Sequence, residues 1–372
     1  RLKKNNMMLL RFCFPHALIL LCSLSVLAGG WYPWFFFVAL SITVILGDYI
    51  LPEDYSTFSD ISPLRINLLL FATLPNLLFL IAVTVLTTTN NPIFNLAFPL
   101  HQPRSEFSLF QLVGLILSVG LLIGGVGTSV AHECLHRRKS NALMVHGNWL
   151  MALSMDSVFP IEHNHGHHKN VGTLQDAATA RRGENVYRFI LRSIYGEYVN
   201  AWQIEKNRLS KINLTFISFQ NRYIRSVGRS LLIPLVALYF GGLFSAIVIL
   251  CAMIWAKILL ETVNYIEHYG LVRISGQRIE PRHSWNSNAW VSSTITFFLT
   301  RHSHHHQKSS LPFWKLKPLP NAPMLPWGYL SGIYLALLAP PIYRKLMEPK
   351  LHNWFQTYAN SEERSIAGLF NL

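Results

Sequence analysis

Six apolar stretches constrain this chain more than any other feature of its sequence. Their approximate bounds are 13–30, 31–51, 66–87, 108–131, 230–247 and 248–267. Each holds about 18 to 24 residues, enough at about 1.5 Å per residue to cross a hydrocarbon core about 30 Å thick. The pattern predicts an all-α integral membrane protein with six transmembrane helices.

The composition agrees with a membrane location. Only 13% of the 372 residues are charged, whereas a soluble domain carries about 25%. The first stretch follows RLKK, as a secretory signal would, but it runs into WYPWFFF without a small-residue cleavage site, so a membrane helix is predicted instead. A further apolar stretch at 324–342 contains glycines and ends in Pro-Pro, and it is predicted to lie on the surface or re-enter the membrane.

Positive charge predicts the orientation. The formal net charge is +14, and fourteen Lys and Arg residues fall between His132 and Arg229, whereas the loop at 88–107 has only Arg104. Cytoplasmic segments of membrane proteins are enriched in these residues, which explains the excess without a nucleic-acid partner. A single domain, 1–372, is expected in a bacterial inner membrane, with the bundle at about 13–131 and 230–267. Segments 132–229 and 268–372 are expected on the cytoplasmic side.

Eleven of the sixteen histidines gather at four short sites. HECLH places His132 and His136 four residues apart, a spacing that aligns two side chains on one helix face. HNHGHH repeats that spacing, RHSHHH contains three consecutive histidines, and the fourth site is the single histidine of NYIEHYG. All four sites are predicted on the same side of the membrane, so they can converge.

So many imidazoles in one place favour metal binding, because a metal uses the lone pairs of neutral rings. Eight or nine ligands suit two ions, and imidazole is compatible with iron, copper or zinc. Two other interpretations stay open. The histidines could be polar residues of a membrane interface, or transient ligands of a metal transporter or sensor, although a transporter would spread polar groups along a path through the bilayer.

The motifs HECLHRR, EHNHGHH, NYIEHYGLVR, HSWNSN and RHSHHH, in this order, resemble the membrane-bound alkane 1-monooxygenase family and the xylene monooxygenase hydroxylase subunits, over about residues 50–354. The resemblance implies two non-haem iron ions that use O2 to hydroxylate a terminal methyl C–H of an alkane or alkyl-aromatic. It also implies electrons from a rubredoxin or ferredoxin-type protein and its reductase. A hydrophobic substrate would arrive through membrane lipid.

Fatty-acid desaturases or lipid hydroxylases of the same superfamily are the main alternative. Their second box usually reads HxxHH, whereas three residues separate His163 from His167 here.

The resemblance also implies the ligand set and leaves His165 and His304 outside it, with His304 expected to be solvated. No catalytic residue beyond the ligands is implied. The nine implied iron ligands are His132, His136, His163, His167, His168, His268, His302, His305 and His306.

Carboxylates often orient metal-bound imidazoles. Glu133, Glu162 and Glu267 adjoin ligands, and Asp176 follows the second box, so these four are candidates for that role. Lys257 and Glu261 lie four residues apart inside the sixth apolar stretch, where they are predicted to pair and to form the floor of the site. Alternatively, Lys257 extends to the far membrane surface.

Overall fold

The computed structural model describes residues 2–58, 61–89 and 107–369. Within these ranges the chain is all-helical, as predicted, with no β-strand. We number thirteen helices and count short π-helical turns as parts of the helices that contain them. They are α1 Leu2–Ala28, α2 Tyr32–Ile50, α3 Pro63–Thr88, α4 Leu109–His136, α5 Asn141–Leu153, α6 (Phe159–Glu162, His163–His167 and His168–Asn170), α7 Val186–Lys211, α8 Arg222–His268, α9 Trp290–Ile295, α10 His302–Gln307, α11 Tyr329–Leu338, α12 Pro340–Thr357 and α13 Ser361–Leu369.

Five of these helices are long and apolar enough to cross a membrane: α1, α2, α3, α4 and α8. Their outer faces expose large apolar side chains such as Leu24, Phe35, Leu64 and Leu235, which water would not tolerate in a contiguous band but lipid does. The chain is therefore built as a membrane protein. Most of the loop used above for the orientation, residues 90–106, lies outside the described residues.

The predicted count of six crossings is not confirmed. The stretches 230–247 and 248–267 both fall within α8, a single run of 47 residues. This helix is interrupted at Gly242, whose φ of 79° and ψ of 179° are not helical. Positive φ is readily available to glycine, so the backbone breaks there at little cost. The described residues therefore contain five long apolar helices, the last of which is broken at Gly242.

The apolar stretch at 324–342 folds as the short helix α11, followed directly by α12. Ten residues at about 1.5 Å each span about half of a hydrocarbon core. The buried face of α11 includes Tyr329, Ile333 and Leu337, and the hydroxyl of Tyr334 lies 2.7 Å from that of Ser41 on α2. The helix thus packs against the bundle, and its length agrees with the prediction of a segment that does not cross.

The N-terminal helix braces the segment before α10. Arg11 forms an ion pair with Asp54 at 2.6 Å and donates to the hydroxyl of Thr294 at 2.6 Å. Arg301 donates to the backbone carbonyls of Asp54 and Leu316. Its side chain is buried, so these contacts fix the backbone immediately before the third histidine box.

Candidate metal centre

Nine histidines meet at one end of α4 and α8 and form two adjacent groups. In each group every ring contributes a nitrogen that lies within 4.8 Å of the others. The rings of His163 and His167, one from each group, stack with centroids 5.0 Å apart, so the groups adjoin. The five-histidine group consists of His132, His136, His163, His168 and His305, and the four-histidine group consists of His167, His268, His302 and His306.

The first box lies at the end of α4, after a π-helical turn at Ile123–Gly127. Both of its histidines are buried, and their ring centroids are 4.7 Å apart. The i, i+4 spacing predicted from the sequence therefore does place them on one face.

The second box is itself a π-helical turn, His163–His167. A π-helix closes i→i+5 hydrogen bonds, so residues five apart share a face. His163 and His168 accordingly join the same group, with Nε2 atoms 3.1 Å apart, and His167 turns towards the other group. The spacing in the sequence places His163 and His167 on one face only if the segment is an α-helix, so the predicted pairing of these two residues differs from the observed one.

The third box and His268 complete the arrangement. Nε2 of His302 lies 3.1 Å from that of His268 and 2.9 Å from that of His306, whereas His305 joins the first box. Asn286, from the HSWNSN motif, holds the start of α10 because its carbonyl oxygen accepts from the backbone N–H of Ser303 at 2.9 Å. Asn286 belongs to a motif quoted from the sequence, but its hydrogen bond to Ser303 is seen only in the structure.

The geometry of the nitrogens fits bound metal. The Nε2 atoms of His136, His163 and His168 are mutually 3.1–3.3 Å apart. A ring nitrogen that carries hydrogen cannot also accept, so three such atoms cannot all be paired with one another by hydrogen bonds. Metal–nitrogen bonds of about 2.1 Å would place neighbouring ligand atoms about 3 Å apart. A cation shared by this group would satisfy atoms that would otherwise conflict.

The protonation state of the rings is also suited to metal binding. Burial, together with neighbouring imidazoles, lowers the pKa of His163, His168 and His305 well below the ordinary value. The same causes act on His302 and His306. These rings are therefore neutral at physiological pH, which is the form that donates a lone pair to a metal.

Asp176 contacts a ligand directly. Its carboxylate accepts from Nδ1 of His167 at 2.9 Å, which leaves Nε2 facing the four-histidine group. Burial opposes the protonated form of His167, but the negative charge of Asp176 raises its pKa above the ordinary value. Thr179 and the backbone N–H of Ala178 also donate to Asp176, so the carboxylate is fixed in place.

Glu267 occupies a different position from Asp176. Its Oε2 lies 3.2 Å from Nε2 of His302, the nitrogen that faces the other histidines of its group, and its Oε1 has no hydrogen-bond partner among the described residues. The carboxylate therefore contacts one histidine of the four-histidine group on the side that faces the other three.

Glu133 and Glu162 each adjoin one of these histidines in the chain, but neither is seen to form a hydrogen bond with a histidine of the two groups. Glu133 pairs with Arg137 at 3.0 Å and accepts from the backbone N–H of Phe313 at 3.1 Å. Burial, reinforced by the charge of Asp176, raises the pKa of Glu162 to about 8. A Cβ on Gly166 would approach Oε1 of Glu162 to 2.4 Å, so this glycine makes room for the carboxyl group.

Lys257 does not extend to the membrane surface. Its Nζ lies 2.5 Å from Glu261, 2.7 Å from Glu197 and 2.9 Å from Asp156, and all four side chains are buried. The prediction that Lys257 pairs with Glu261 is confirmed. Asp156 and Glu197 are 101 and 60 residues from Lys257 in the sequence. The sequence signal for them is only that each is an acidic residue among apolar neighbours.

The two remaining histidines of the boxes lie outside both groups. His165 is exposed. His304 is only 6% exposed, and its Nδ1 accepts from the backbone N–H of Lys317 at 3.0 Å. The expectation that His304 is solvated is therefore wrong, because the segment after α10 folds back over this ring.

A partly open apolar cavity lies close to the centre. It lies among the membrane helices, and its lining includes Thr128 and Ser129, one turn before His132, and Val263, five residues before His268. Helices α4 and α8 contribute residues both to the wall of the cavity and to the two histidine groups. The cavity therefore lies on the membrane side of these groups.

Comparisons with known proteins agree with this architecture. Residues 108–332 match the family model described as fatty acid desaturase. The alkane 1-monooxygenase of Pseudomonas putida is 36% identical over 258 residues, which cover 67% of this chain and 62% of that protein. The match to alkane 1-monooxygenase 1 of Pseudomonas aeruginosa is 37% identical and covers 70% of this chain and 71% of the relative.

A third relative matches over a longer span. The xylene/toluene monooxygenase hydroxylase component XylM of Pseudomonas putida is 31% identical over 348 residues, 91% of this chain and 88% of that protein. Shared identity over most of both chains, together with the histidine groups, shows the family. The chain belongs to the membrane monooxygenases of the alkane 1-monooxygenase and xylene monooxygenase type, within the fatty acid desaturase family.

Proposed function

We propose that this protein is a membrane hydroxylase that uses O2 to convert a terminal methyl group of a medium-chain alkane or alkyl-aromatic into an alcohol. The observation that carries the proposal is the position of nine imidazoles, eight buried and one half-buried, close to an apolar cavity among the membrane helices. The reaction consumes the hydrocarbon, O2, two electrons and two protons, and it yields the alcohol and water.

The metal pair, which we propose to be iron, supplies O2 activation when it is bound. The chain's own residues hold and surround it. The histidines of the two groups would provide nitrogen donors, Asp176 holds His167 through Nδ1 so that Nε2 faces its group, and Glu267 contacts His302 of the four-histidine group. The apolar cavity excludes water and restricts the hydrocarbon so that one end faces the centre.

The electron donor is proposed to be a rubredoxin or ferredoxin-type protein, reduced by its own reductase. One relative is named a hydroxylase component, a term that implies a separate component. Segment 181–229 exposes Arg181, Arg188, Lys206, Lys211 and Arg225, and an acidic partner would be attracted to them. If the rate of electron transfer falls steeply with rising salt concentration, the result supports docking of the donor at this basic surface. A rate that does not depend on salt contradicts it.

The location proposed for the centre is the cytoplasmic side of a bacterial inner membrane. The fourteen Lys and Arg residues between His132 and Arg229 support it through the positive-inside pattern. A cysteine introduced at Arg181 in a variant lacking the four native cysteines should react with a membrane-impermeant thiol reagent only after the cells are opened. Labelling of this cysteine in intact spheroplasts would show that the segment lies on the periplasmic side instead.

Turnover and metal content together test the proposed chemistry. Purified protein in lipid nanodiscs, supplied with a rubredoxin and reductase, is expected to contain iron and to convert octane or p-xylene to the alcohol. Stoichiometric zinc without O2 consumption would refute the proposal.

The match to the fatty acid desaturase model makes lipid desaturation the second candidate. The same assay with a fatty acyl substrate distinguishes the two: an alkene product from the acyl chain, without alcohol from hydrocarbons, would favour the desaturase.

A further inference from the structure

The first turn of the last helix, α13, carries a buried carboxylate that reaches back to a loop beside the metal centre. Glu363 is fully buried, and its Oε1 accepts a hydrogen bond from Nε2 of His283 at 2.7 Å. Its Oε2 accepts from Nε of Arg282 at 2.9 Å. The backbone N–H of Asn360 also donates to Oε2, so the same carboxylate caps α13. Glu363 therefore joins the C-terminal helix to the loop that contains His283.

The hydrogen bonds of His283 determine which of its ring nitrogens carries the proton. Its Nδ1 accepts from the backbone N–H of Glu280 at 3.0 Å, so the proton lies on Nε2 and is donated to Glu363. Burial opposes the ionisation of Glu363, but hydrogen bonds from His283 and Arg282 lower its pKa to about 2. The acceptor is therefore charged at neutral pH, and a hydrogen bond to a charged acceptor is stronger than one between neutral groups.

The backbone of His283 contacts one member of the four-histidine group. Its carbonyl oxygen lies 3.4 Å from Nδ1 of His268, and Nε2 of His268 lies 3.1 Å from that of His302. The carbonyl thus faces the Nδ1 side of the ring, while Nε2 faces the group. A separation of 3.4 Å is long for a hydrogen bond, so this contact depends on how firmly the carbonyl is held. Glu363 and Glu280 hold the residue to which the carbonyl belongs.

Few other contacts orient the rings of the four-histidine group. Nδ1 of His302 and Nδ1 of His306 are buried and have no hydrogen-bond partner among the described residues. His167 is held through Nδ1 by Asp176, and His268 is the other member of the group whose Nδ1 has a partner in the described part of the chain. Partners of this kind fix the ring orientation of a metal-bound imidazole and raise its basicity.

We infer that Glu363 is a positioning residue of the metal centre: it holds His283, and the carbonyl of His283 orients His268 within the four-histidine group. The inference rests on the proposed function only in so far as the group binds metal. Glu363 lies after residues 50–354, the span on which the resemblance in the sequence depends. The C-terminal helix is therefore part of the centre, although it contributes no ligand to it.

Cobalt(II) binding tests the inference without turnover. Metal-free protein in lipid nanodiscs is titrated with cobalt(II) in competition with a chelator, and visible absorption reports the coordination of the ion. In Glu363→Ala the affinity of one of two sites is expected to fall about tenfold, the lower end of the effect of losing a partner of a metal-bound histidine, because Glu363 acts through His283. Asp176→Asn should weaken the same site.

Two further variants separate positioning from a general loss of structure. Glu363→Gln keeps an oxygen that accepts from His283, so it should recover most of the affinity and the wild-type absorption spectrum. Arg282→Gln removes the other side-chain partner of Glu363 and leaves the bond to His283 intact. It should lower the unfolding temperature but retain the cobalt affinity. Equal loss of affinity in Arg282→Gln and Glu363→Ala would overturn the inference, because it would show that only the attachment of α13 matters.

Glu362→Gln is the matched control. Glu362 precedes Glu363 in the chain, but it is exposed and accepts from Gln277. This variant should bind cobalt(II) as wild type does. Unchanged affinity in Glu363→Ala, or no cobalt binding by wild type, would overturn the inference. If wild type oxidises no hydrocarbon but cobalt binding depends on Glu363 as expected, the proposed function fails and the inference stands.

Discussion

His163 and His168 are five residues apart in sequence, yet their Nε2 atoms lie 3.1 Å apart in the same histidine group. The π-helical turn between them produces this contact, and it directs His167 to the other group. His165, on the same turn, is exposed and belongs to neither group. One short segment thus contains members of both histidine groups and a histidine that belongs to neither.

Alanine substitutions in this turn should have sharply different effects. His163→Ala and His168→Ala remove a nitrogen from the five-histidine group and should lower the bound metal substantially, whereas His165→Ala should retain it. Metal analysis of the purified variants checks this expectation. Equal loss of bound metal in His163→Ala and His165→Ala would show that the different roles assigned to these two histidines are wrong.

Asp176 should matter through His167. Asp176→Asn removes the negative acceptor at Nδ1, and the affinity for the metal in the four-histidine group should fall by about 10- to 100-fold. Chelator competition monitored by metal release measures the change. Asp176→Glu, which keeps the charge, should recover part of the affinity. If Asp176→Asn binds metal as wild type does, the contact at 2.9 Å has no such role.

The buried Lys257 should stabilise the bundle strongly. Lys257→Met leaves Asp156, Glu197 and Glu261 without their cation and should lower the free energy of unfolding by about 3–5 kcal/mol. Glu261→Gln removes one of three anions and should cost less. Thermal unfolding in detergent ranks the variants. Full stability, activity and metal content in Glu261→Gln would contradict a role for this cluster in forming the floor of the site.

Glu205 provides a prediction with a defined pH range. It is a buried carboxylate that pairs with Arg208 and Arg222 at 2.7 and 2.8 Å and so joins the end of α7 to the start of α8. Burial opposes its ionisation, but the two arginines lower its pKa to about 2. A depressed pKa contributes stability above the unfolded-state value of about 4.3 and loses it as the pH falls towards 2.

Glu205→Gln should therefore unfold at a lower temperature than wild type at neutral pH. The arginines are about one-third exposed, so the expected loss is about 1 kcal/mol. The difference should stay constant from pH 8 to about pH 5 and shrink only below about pH 4. A difference that disappears already at pH 6 would mean that another group is responsible.

The parts of the site that could be predicted from sequence are those set by local spacing. His132 and His136 share a face because an α-helix places residues four apart together, and Lys257 meets Glu261 for the same reason. Long apolar stretches predicted the membrane helices. The motifs shared with a known family supplied the nine histidines as a set.

The remainder depends on backbone irregularities and on distant contacts. The π-helical turn at His163–His167 changes which residues share a face. The two predicted helices 230–247 and 248–267 form one run, and its backbone breaks at Gly242 instead of at the predicted boundary. Asp156 and Glu197 reach Lys257 only after the bundle has assembled. His304 is buried because Lys317 folds back over it. None of these follows from the periodicity of a single segment.

We expect the division of the histidines into five and four to make two bound ions kinetically unequal. An ion with four imidazoles has fewer bonds to break than one with five, so it should dissociate and exchange sooner. Chelation should therefore remove metal in two phases, with the half around His167 emptied first. Isotope replacement during the fast phase would then label that half alone, and a spectroscopic signal from one ion could be assigned to its own set of ligands.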